Sequence, residues 1–269
     1  MGDGLRVAVA QLRSGQEVEE NLRVCRELTR EAAEAGAQLV AFPENAPYLG
    51  TAKERLTLVE PLDGRVVGAF RAMARDHGIA VLLGSMAEEG PDPGRSYNTS
   101  VWIEASGEVA GVYRKMHLFD VDAGEGLSFK ESASMAAGDE LVTVPWRGLT
   151  VGMSICYDLR FPELYRALRR RGADVLVVPS AFTERTGRDH WEVLLRARAI
   201  EEQCYVIAPN QWGHHCRGRD SYGRSMVIDP WGTVLATAAD GVGLALATLD
   251  RERLATVRAG MPCLSHARL

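Results

Sequence analysis

Short apolar runs alternate along this chain with longer stretches in which every third or fourth position is apolar. Leu5 to Leu12 reads as a strand. Glu19 to Ala35 carries Leu22, Cys25, Leu28, Ala32 and Ala35 on one face, the spacing of an amphipathic helix, and Gly36 ends it. Gln38 to Phe42 is a second strand, after which Pro43-Glu44-Asn45 turns the chain away. A strand, a helix and a strand on short connections predict an α/β fold.

The same reading continues downstream. Leu49 to Asp63 has no clear pattern, Val66 to His77 is a helix closed by Gly78, and Ile79 to Glu88 is a strand. Tyr97 to Glu104 and Val109 to Arg114 flank a turn and predict a hairpin. Residues 121–139 read as a long loop of small and charged residues, a kind that is usually functional or disordered. Strands are predicted at Glu140 to Pro145, Leu149 to Ile155, Ala173 to Pro179 and Cys204 to Pro209. Helices are predicted at Glu163 to Arg171 and at Asp189 to Glu202, the latter capped by Asp189 with Glu192 three residues on. Gln211 to Tyr222 reads as a second polar loop. Ser225 to Ile228 and Thr233 to Thr237 form a hairpin, followed by a strand to Leu249 and a helix from Arg251 to Arg258. No linker or short repeat interrupts the series, so one α/β domain is expected over residues 1–269. About a dozen strands exceed one comfortable open sheet, which predicts two stacked sheets.

Composition narrows the function classes. The chain of 269 residues is 46% hydrophobic and 25% charged, with a net charge of −5 spread along it, so no nucleic-acid surface is expected. No apolar run approaches the roughly 20 residues that span a bilayer, and the first residues lack a signal-peptide apolar region. Five scattered cysteines do not form a disulfide framework and fit a reducing, cytoplasmic setting. His214-His215-Cys216 matches no ordinary zinc spacing, so no metal is expected there.

Candidate chemistry gathers just beyond strand ends. Cys156 lies between the apolar run Val151 to Ile155 and a helix start at Pro162-Glu163, where unpaired amides can favour a thiolate. Glu44 follows the strand ending at Phe42, and Lys115 follows the one ending at Arg114. Ligands of open α/β sheets bind outside such ends. A thiol, a carboxylate and an ammonium make an acyl-transfer set of nucleophile, proton carrier and oxyanion partner. Other readings compete at this level. One takes the three as unrelated loop residues around a core cysteine, another pairs Cys156 with His117 or His190, and a third makes Ser154 or Ser180 a hydroxyl nucleophile without an elbow motif.

Phe42-Pro-Glu44, Tyr113-Arg-Lys115 and Ser154-Ile-Cys-Tyr-Asp-Leu-Arg-Phe-Pro-Glu163 together resemble the nitrilase superfamily of carbon–nitrogen hydrolases, in order, spacing and flanking residues, over nearly the whole chain. The resemblance implies a four-layer α-β-β-α sandwich and a Glu44–Lys115–Cys156 catalytic set, with Glu131 as a second glutamate and no metal or organic cofactor. It also implies amide hydrolysis through a thioester, with the backbone N–H of Tyr157 helping Lys115 to hold the oxyanion and Lys115 depressing the thiol pKa. The substrate is expected to be a small-molecule amide and the assembly a homodimer or larger. Residues 190–200, 203–206 and 221–232 look closest to the deaminated-glutathione branch of the Nit-type amidases, with the ω-amidases as the near alternative and a silent scaffold or a nitrilase proper as further ones. Asn210-Gln211-Trp212 departs from the smaller residues of that branch, which bears on the outer pocket. Arg160, Ser180, Phe182, Arg217 and Arg219 are the candidate substrate-binding residues, with Arg160 for an acid end and Arg217 and Arg219 for a larger leaving group.

Overall fold

A computed structural model of the chain describes residues 4–122, 124, 128–216 and 218–268. The elements run β1 (Leu5–Gln11), α1 (Val18–Glu34), β2 (Leu39–Ala41), α2 (Ala52–Arg55), α3 (Arg65–His77), β3 (Ala80–Glu89), β4 (Ser96–Ile103) and β5 (Val109–Arg114). Next come β6 (Asp120–Asp122), β7 (Ser128–Lys130), β8 (Met135–Ala136), β9 (Thr143–Trp146), β10 (Leu149–Met153), α4 (Pro162–Arg170), β11 (Val175–Val177) and α5 (Glu184–Glu202). The chain closes with β12 (Tyr205–Ala208), β13 (Trp212–Cys216), β14 (Arg219–Tyr222), β15 (Met226–Ile228), β16 (Val234–Thr237), β17 (Gly243–Leu249), α6 (Arg251–Gly260) and α7 (Cys263–His266).

Among the described residues one sheet has seven strands, in the order β17-β1-β2-β3-β4-β5 with β8 beside β4. A second has six, in the order β16-β15-β12-β11-β10-β9. The strand period of two divides each strand between two cores. Val7 and Val9 of β1 point to the space between the sheets, where they meet Val151, Met153, Val175, Val177, Tyr205 and Ile207. Ala8 and Ala10 point the other way, against Leu22, Cys25 and Leu28 of α1 and Phe70 and Met73 of α3. On the far side Leu176 and Val206 meet Leu164 and Leu168 of α4 and Trp191 and Leu195 of α5. The result is the expected helix–sheet–sheet–helix stack.

Several expectations are corrected. Residues 121–139 are not simply a loop: β6 and β7 pair, a 3₁₀ turn follows at Glu131–Ala133, and β8 joins the first sheet. Residues 211–222 are likewise a hairpin of β13 and β14, in which polar side chains mask the strand pattern. The unreadable stretch after Leu49 holds α2, started by a capping box between Thr51 and Glu54. Helix α5 begins at Glu184, and Asp189 lies inside it rather than capping it. Its first turns are polar and include Gly187, so they show no apolar period. A Cβ at Gly187 would collide with Tyr222 of β14, so this turn is set by a tertiary contact.

Candidate active site

β2, β5 and β10 deliver Glu44, Lys115 and Cys156 to one cavity of about 210 Å³, bringing together what lies far apart in sequence. Glu44 reaches it because the chain at Phe42 and Pro43 crosses Gly84 of β3 so closely that a Cβ there would strike both backbone carbonyls. The next residue, Asn45, takes the left-handed conformation (φ 58) and donates its N–H to Ser85 Oγ at 2.8 Å. Lys115 follows β5 directly, its N–H bound to the Asn98 carbonyl at 2.9 Å. Cys156 begins a 3₁₀ turn (Cys156–Arg160) in a left-handed backbone conformation, φ 48, that L-residues adopt at a cost of about 1–2 kcal/mol. The buried Asp158 carboxylate holds that turn. It accepts from Ile155 N–H at 2.8 Å, Tyr113 Oη at 2.7 Å and His117 N–H at 3.0 Å.

The side chains form a continuous polar chain. Lys115 Nζ, 1% exposed, lies 3.0 Å from Glu44 Oε1, 2.9 Å from Glu131 Oε2 and 3.2 Å from Glu131 Oε1. Glu44 Oε1 also accepts from Asn98 Nδ2 at 2.8 Å, and Oε2 from the Ala181 N–H at 2.8 Å. Cys156 lines the same cavity, close enough to Glu44 for each group to shift the other's proton affinity. Glu131 Oε2 takes the Phe119 N–H at 2.8 Å, which points the carboxylate at Lys115. Tyr157 is the second residue of the 3₁₀ turn, where a helix's own acceptors have not yet begun.

Two carboxylates and one ammonium leave this cluster with one negative charge in excess. Burial raises the pKa of Glu44, but Lys115, the thiol and the Ala181 N–H more than offset it and hold the carboxyl below its usual value. Burial disfavours the Lys115 ammonium, and Glu131, Glu44 and Cys156 restore it, raising its pKa above the ordinary lysine value. The thiol goes the opposite way from expectation. Burial and then Glu44 push Cys156 well above an ordinary cysteine, and the lowering effect of Lys115 does not compensate. The proton therefore rests on sulfur and the charge on Glu44.

The histidines are used elsewhere. His117 Nδ1 lies 2.7 Å from Asp158 Oδ1, and its ring stacks on Phe161 with centroids 3.7 Å apart. His190 Nδ1 faces the Arg160 guanidinium at 3.3 Å. Ser154 Oγ bonds Tyr165 Oη and the Val177 carbonyl, fully buried in the second sheet. His214 pairs with Asp220, whereas His215 faces Ser14 and Ser221, so the His-His-Cys run does not converge.

Comparison with known proteins identifies the family. The family model described as carbon-nitrogen hydrolase matches residues 6–259. The chain belongs to the carbon–nitrogen hydrolase family. A deaminated glutathione amidase of Synechocystis sp. is 44% identical over 262 residues, covering 96% of each chain. The crystal structure of the Caenorhabditis elegans NitFhit protein superposes with a TM-score of 0.93 at 39% identity, over 100% of this chain and 66% of that one. A glutamate-to-glutamine mutant of an amidase from Nesterenkonia sp., in which acrylamide has added to the active-site cysteine, matches with a TM-score of 0.80 at 27% identity, over 97% of this chain and 99% of that one.

In this hydrolase the cavity wall selects among the sequence-predicted binding residues. Arg160, Phe182 and Arg219 line the cavity beside the catalytic candidates, as does Tyr157. Arg160 makes no ion pair with a carboxylate among the described residues; its guanidinium lies over the Phe182 ring at 5.3 Å and the Tyr157 ring at 5.9 Å. Ser180 is corrected: it is fully buried, its hydroxyl donates to the Val178 carbonyl at 3.1 Å, and Ala181 lines the cavity instead. Arg217 lies outside the described residues. Asn210 and Gln211 brace the site from behind rather than lining an outer pocket. Asn210 Oδ1 accepts from the Phe182 N–H at 3.0 Å, and Gln211 Nε2 donates to the Glu44 carbonyl at 3.0 Å.

Sequence reasoning missed two residues. Asn98 orients Glu44, and the polar run Asn98-Thr99-Ser100 inside an otherwise apolar strand was its signal. Arg55 lines the cavity while only 6% exposed, and the Thr51-x-x-Glu54 capping box would have located its helix. Among the described residues Arg55, Lys115, Lys130, Arg160 and Arg219 oppose Glu44, Glu131 and Asp220 around the cavity, an excess of two positive charges in a chain of net charge −5. No helix of the described residues is long and apolar enough to cross a membrane.

Proposed function

We propose that the protein is an amidase that hydrolyses deaminated glutathione to 2-oxoglutarate and Cys-Gly through a Cys156 thioester. The observation that carries the reading is the Glu44–Lys115–Glu131 chain that shares a net-positive cavity with Cys156. The near-full-length likeness to a deaminated glutathione amidase supplies the substrate. A cation-rich wall suits that substrate, which carries a carboxylate at each end.

Cys156 Sγ attacks the amide carbon as its proton passes to Glu44. Because the resting proton favours sulfur, transfer has to accompany C–S bond formation. The charge then moves to the former carbonyl oxygen, where the Lys115 ammonium and the Tyr157 N–H stabilise it. Glu44 returns the proton to the amide nitrogen as the C–N bond breaks and the amine departs. Water, deprotonated by Glu44, attacks the thioester; collapse of the second oxyanion releases the acid, and the proton on Glu44 goes back to Cys156. Glu131 acts by holding Lys115. Arg160, Phe182, Arg217 and Arg219 bind the substrate. No metal or organic cofactor takes part. We further propose a single domain over residues 1–269, a homodimer or larger assembly, and a cytoplasmic setting.

Wild type and Cys156→Ala, assayed on deaminated glutathione and on 2-oxoglutaramate, test this reading. The expected result is a higher kcat/KM for deaminated glutathione, loss of essentially all turnover in the variant, and a mass shift on Cys156 in quenched wild-type enzyme equal to the acyl group. Equal or higher kcat/KM for 2-oxoglutaramate would make the protein an ω-amidase. Residual turnover in folded Cys156→Ala would remove the thioester.

A further inference from the structure

We propose that Arg55 recognises the carboxylate at the acyl end of the substrate and so makes the site selective for amides of dicarboxylic acids. The proposal rests on the amidase reading of the site. Arg55 closes α2 and lines the same cavity as Cys156, yet it is only 6% exposed. Among the described residues its guanidinium makes one hydrogen bond, from Nη2 to Ser134 Oγ at 2.9 Å. Its Nε is buried without a partner, and no carboxylate lies within ion-pair distance among the described residues.

The nearby acids are committed elsewhere. Glu54, its chain neighbour, is taken by Thr51 Oγ1 at 2.6 Å and Tyr48 Oη at 2.9 Å. Glu44 and Glu131 are taken by Lys115. Burial and the nearby Arg219 both disfavour the charge on Arg55, and Glu131 and Glu44, acting from beyond ion-pair distance, offset them only in part. A buried guanidinium with spare donors is costly unless an anion meets it, and its planar fork fits a carboxylate. An anion brought by the substrate meets that need.

The depth of Arg55 decides which end of the substrate it meets. The acyl half stays bonded to Cys156 after the amine has left, so it belongs in the enclosed part of the cavity, whereas the amine must exit to solvent. Arg160 and Arg219 are each more exposed than Arg55 and remain for the outer part of the substrate. The acid-end role expected of Arg160 thereby passes to Arg55.

The test compares wild type, Arg55→Met and Arg55→Lys on deaminated glutathione, 2-oxoglutaramate and uncharged pentanamide, with circular dichroism on each protein. Inhibition by glutarate and by pentanoate is measured in parallel. Arg55→Met is expected to lower kcat/KM about 100-fold for both acid-ended amides and less than about 3-fold for pentanamide, with Arg55→Lys between. Wild type should bind glutarate at least about 10-fold tighter than pentanoate, a preference lost in Arg55→Met. Equal loss on pentanamide would make Arg55 structural, and loss confined to deaminated glutathione would place it at the leaving-group end; either overturns the proposal. Should Arg55→Met not fold, equal wild-type affinity for glutarate and pentanoate overturns it, and the expected preference supports it. Failure of wild type to cleave deaminated glutathione, with the acid-ended preference intact, would strike the substrate reading alone.

Discussion

Glu44, Lys115 and Glu131 line the cavity on one side of Cys156, whereas Asp158 lies beneath its turn, and the two sets use buried charge differently. Around Lys115 the charges nearly cancel but keep one negative excess, which holds the proton on sulfur and leaves Glu44 able to receive it. Asp158 has no Lys or Arg partner among the described residues. Backbone N–H groups, the Tyr113 hydroxyl and His117 meet it, and its charge is spent on fixing a strained backbone. In the proposed mechanism the first arrangement reacts because the substrate changes its balance. The second is structural because its donors all belong to the fold.

The largest effect that separates the two sets is on turnover. Glu44→Gln is expected to lower kcat by roughly 10²–10⁴, the usual range for losing a general base. The amide oxygen can still accept from Lys115 and Asn98, so only the Ala181 N–H loses its acceptor and the stability loss should be smaller than that of Asp158→Asn. A matching collapse in stability would place Glu44 with the structural set. Asp158→Asn should do the reverse. An amide turns an NH₂ group toward donors that need an acceptor, which costs about 3 kcal/mol of stability, read from urea midpoints. Unchanged midpoints would mean the turn holds without the charge.

A pH series sharpens the contrast from a third, half-buried group. His215 faces the Ser14 carbonyl and Ser221, and burial above all, with help from Arg219, draws its pKa down to about 4 from 6.5. The unfolded chain therefore takes up this proton before the folded one. The contribution of His215 is complete above about pH 6.5 and is lost as pH falls toward about 4, by no more than about 3 kcal/mol. Urea unfolding at pH 7 and pH 4.5 should show that loss in wild type and less of it in His215→Gln; equal loss in both would assign the acid sensitivity elsewhere. The smallest effect is expected from His117→Ala. It removes one partner of Asp158 and a stacking face for Phe161, so kcat should fall less than about 10-fold. A loss as large as that of Glu44→Gln would reopen a Cys–His pair.

Much of this was legible before any coordinates. Val7 and Ala8, or Val175 and Leu176, declare a two-faced strand because period two is local, and the same holds for the apolar stripe of α1. The ends of β2, β5 and β10 were legible because a charged or thiol side chain follows directly on an apolar run. Residues 211–222 and 121–139 were not: β13 and β14 carry polar residues on both faces and bury little, and β6, β7 and β8 are too short to show a period. The start of helix α5 is not legible because its polar first turns, with Gly187 packed against Tyr222, show no apolar period.

The sequence by itself determined the alternation of strands and helices, the three strand-end residues and, through its motifs, the family. Each is a matter of local order along the chain. Only the tertiary structure decided that Lys115 stands between two carboxylates, that the thiol keeps its proton, that Ser180 turns into the fold while Ala181 faces the cavity, and that Arg55 arrives there with no carboxylate partner among the described residues. Those facts depend on distances between residues far apart in sequence and on how much water is excluded around them. Both are fixed when the two sheets close over each other.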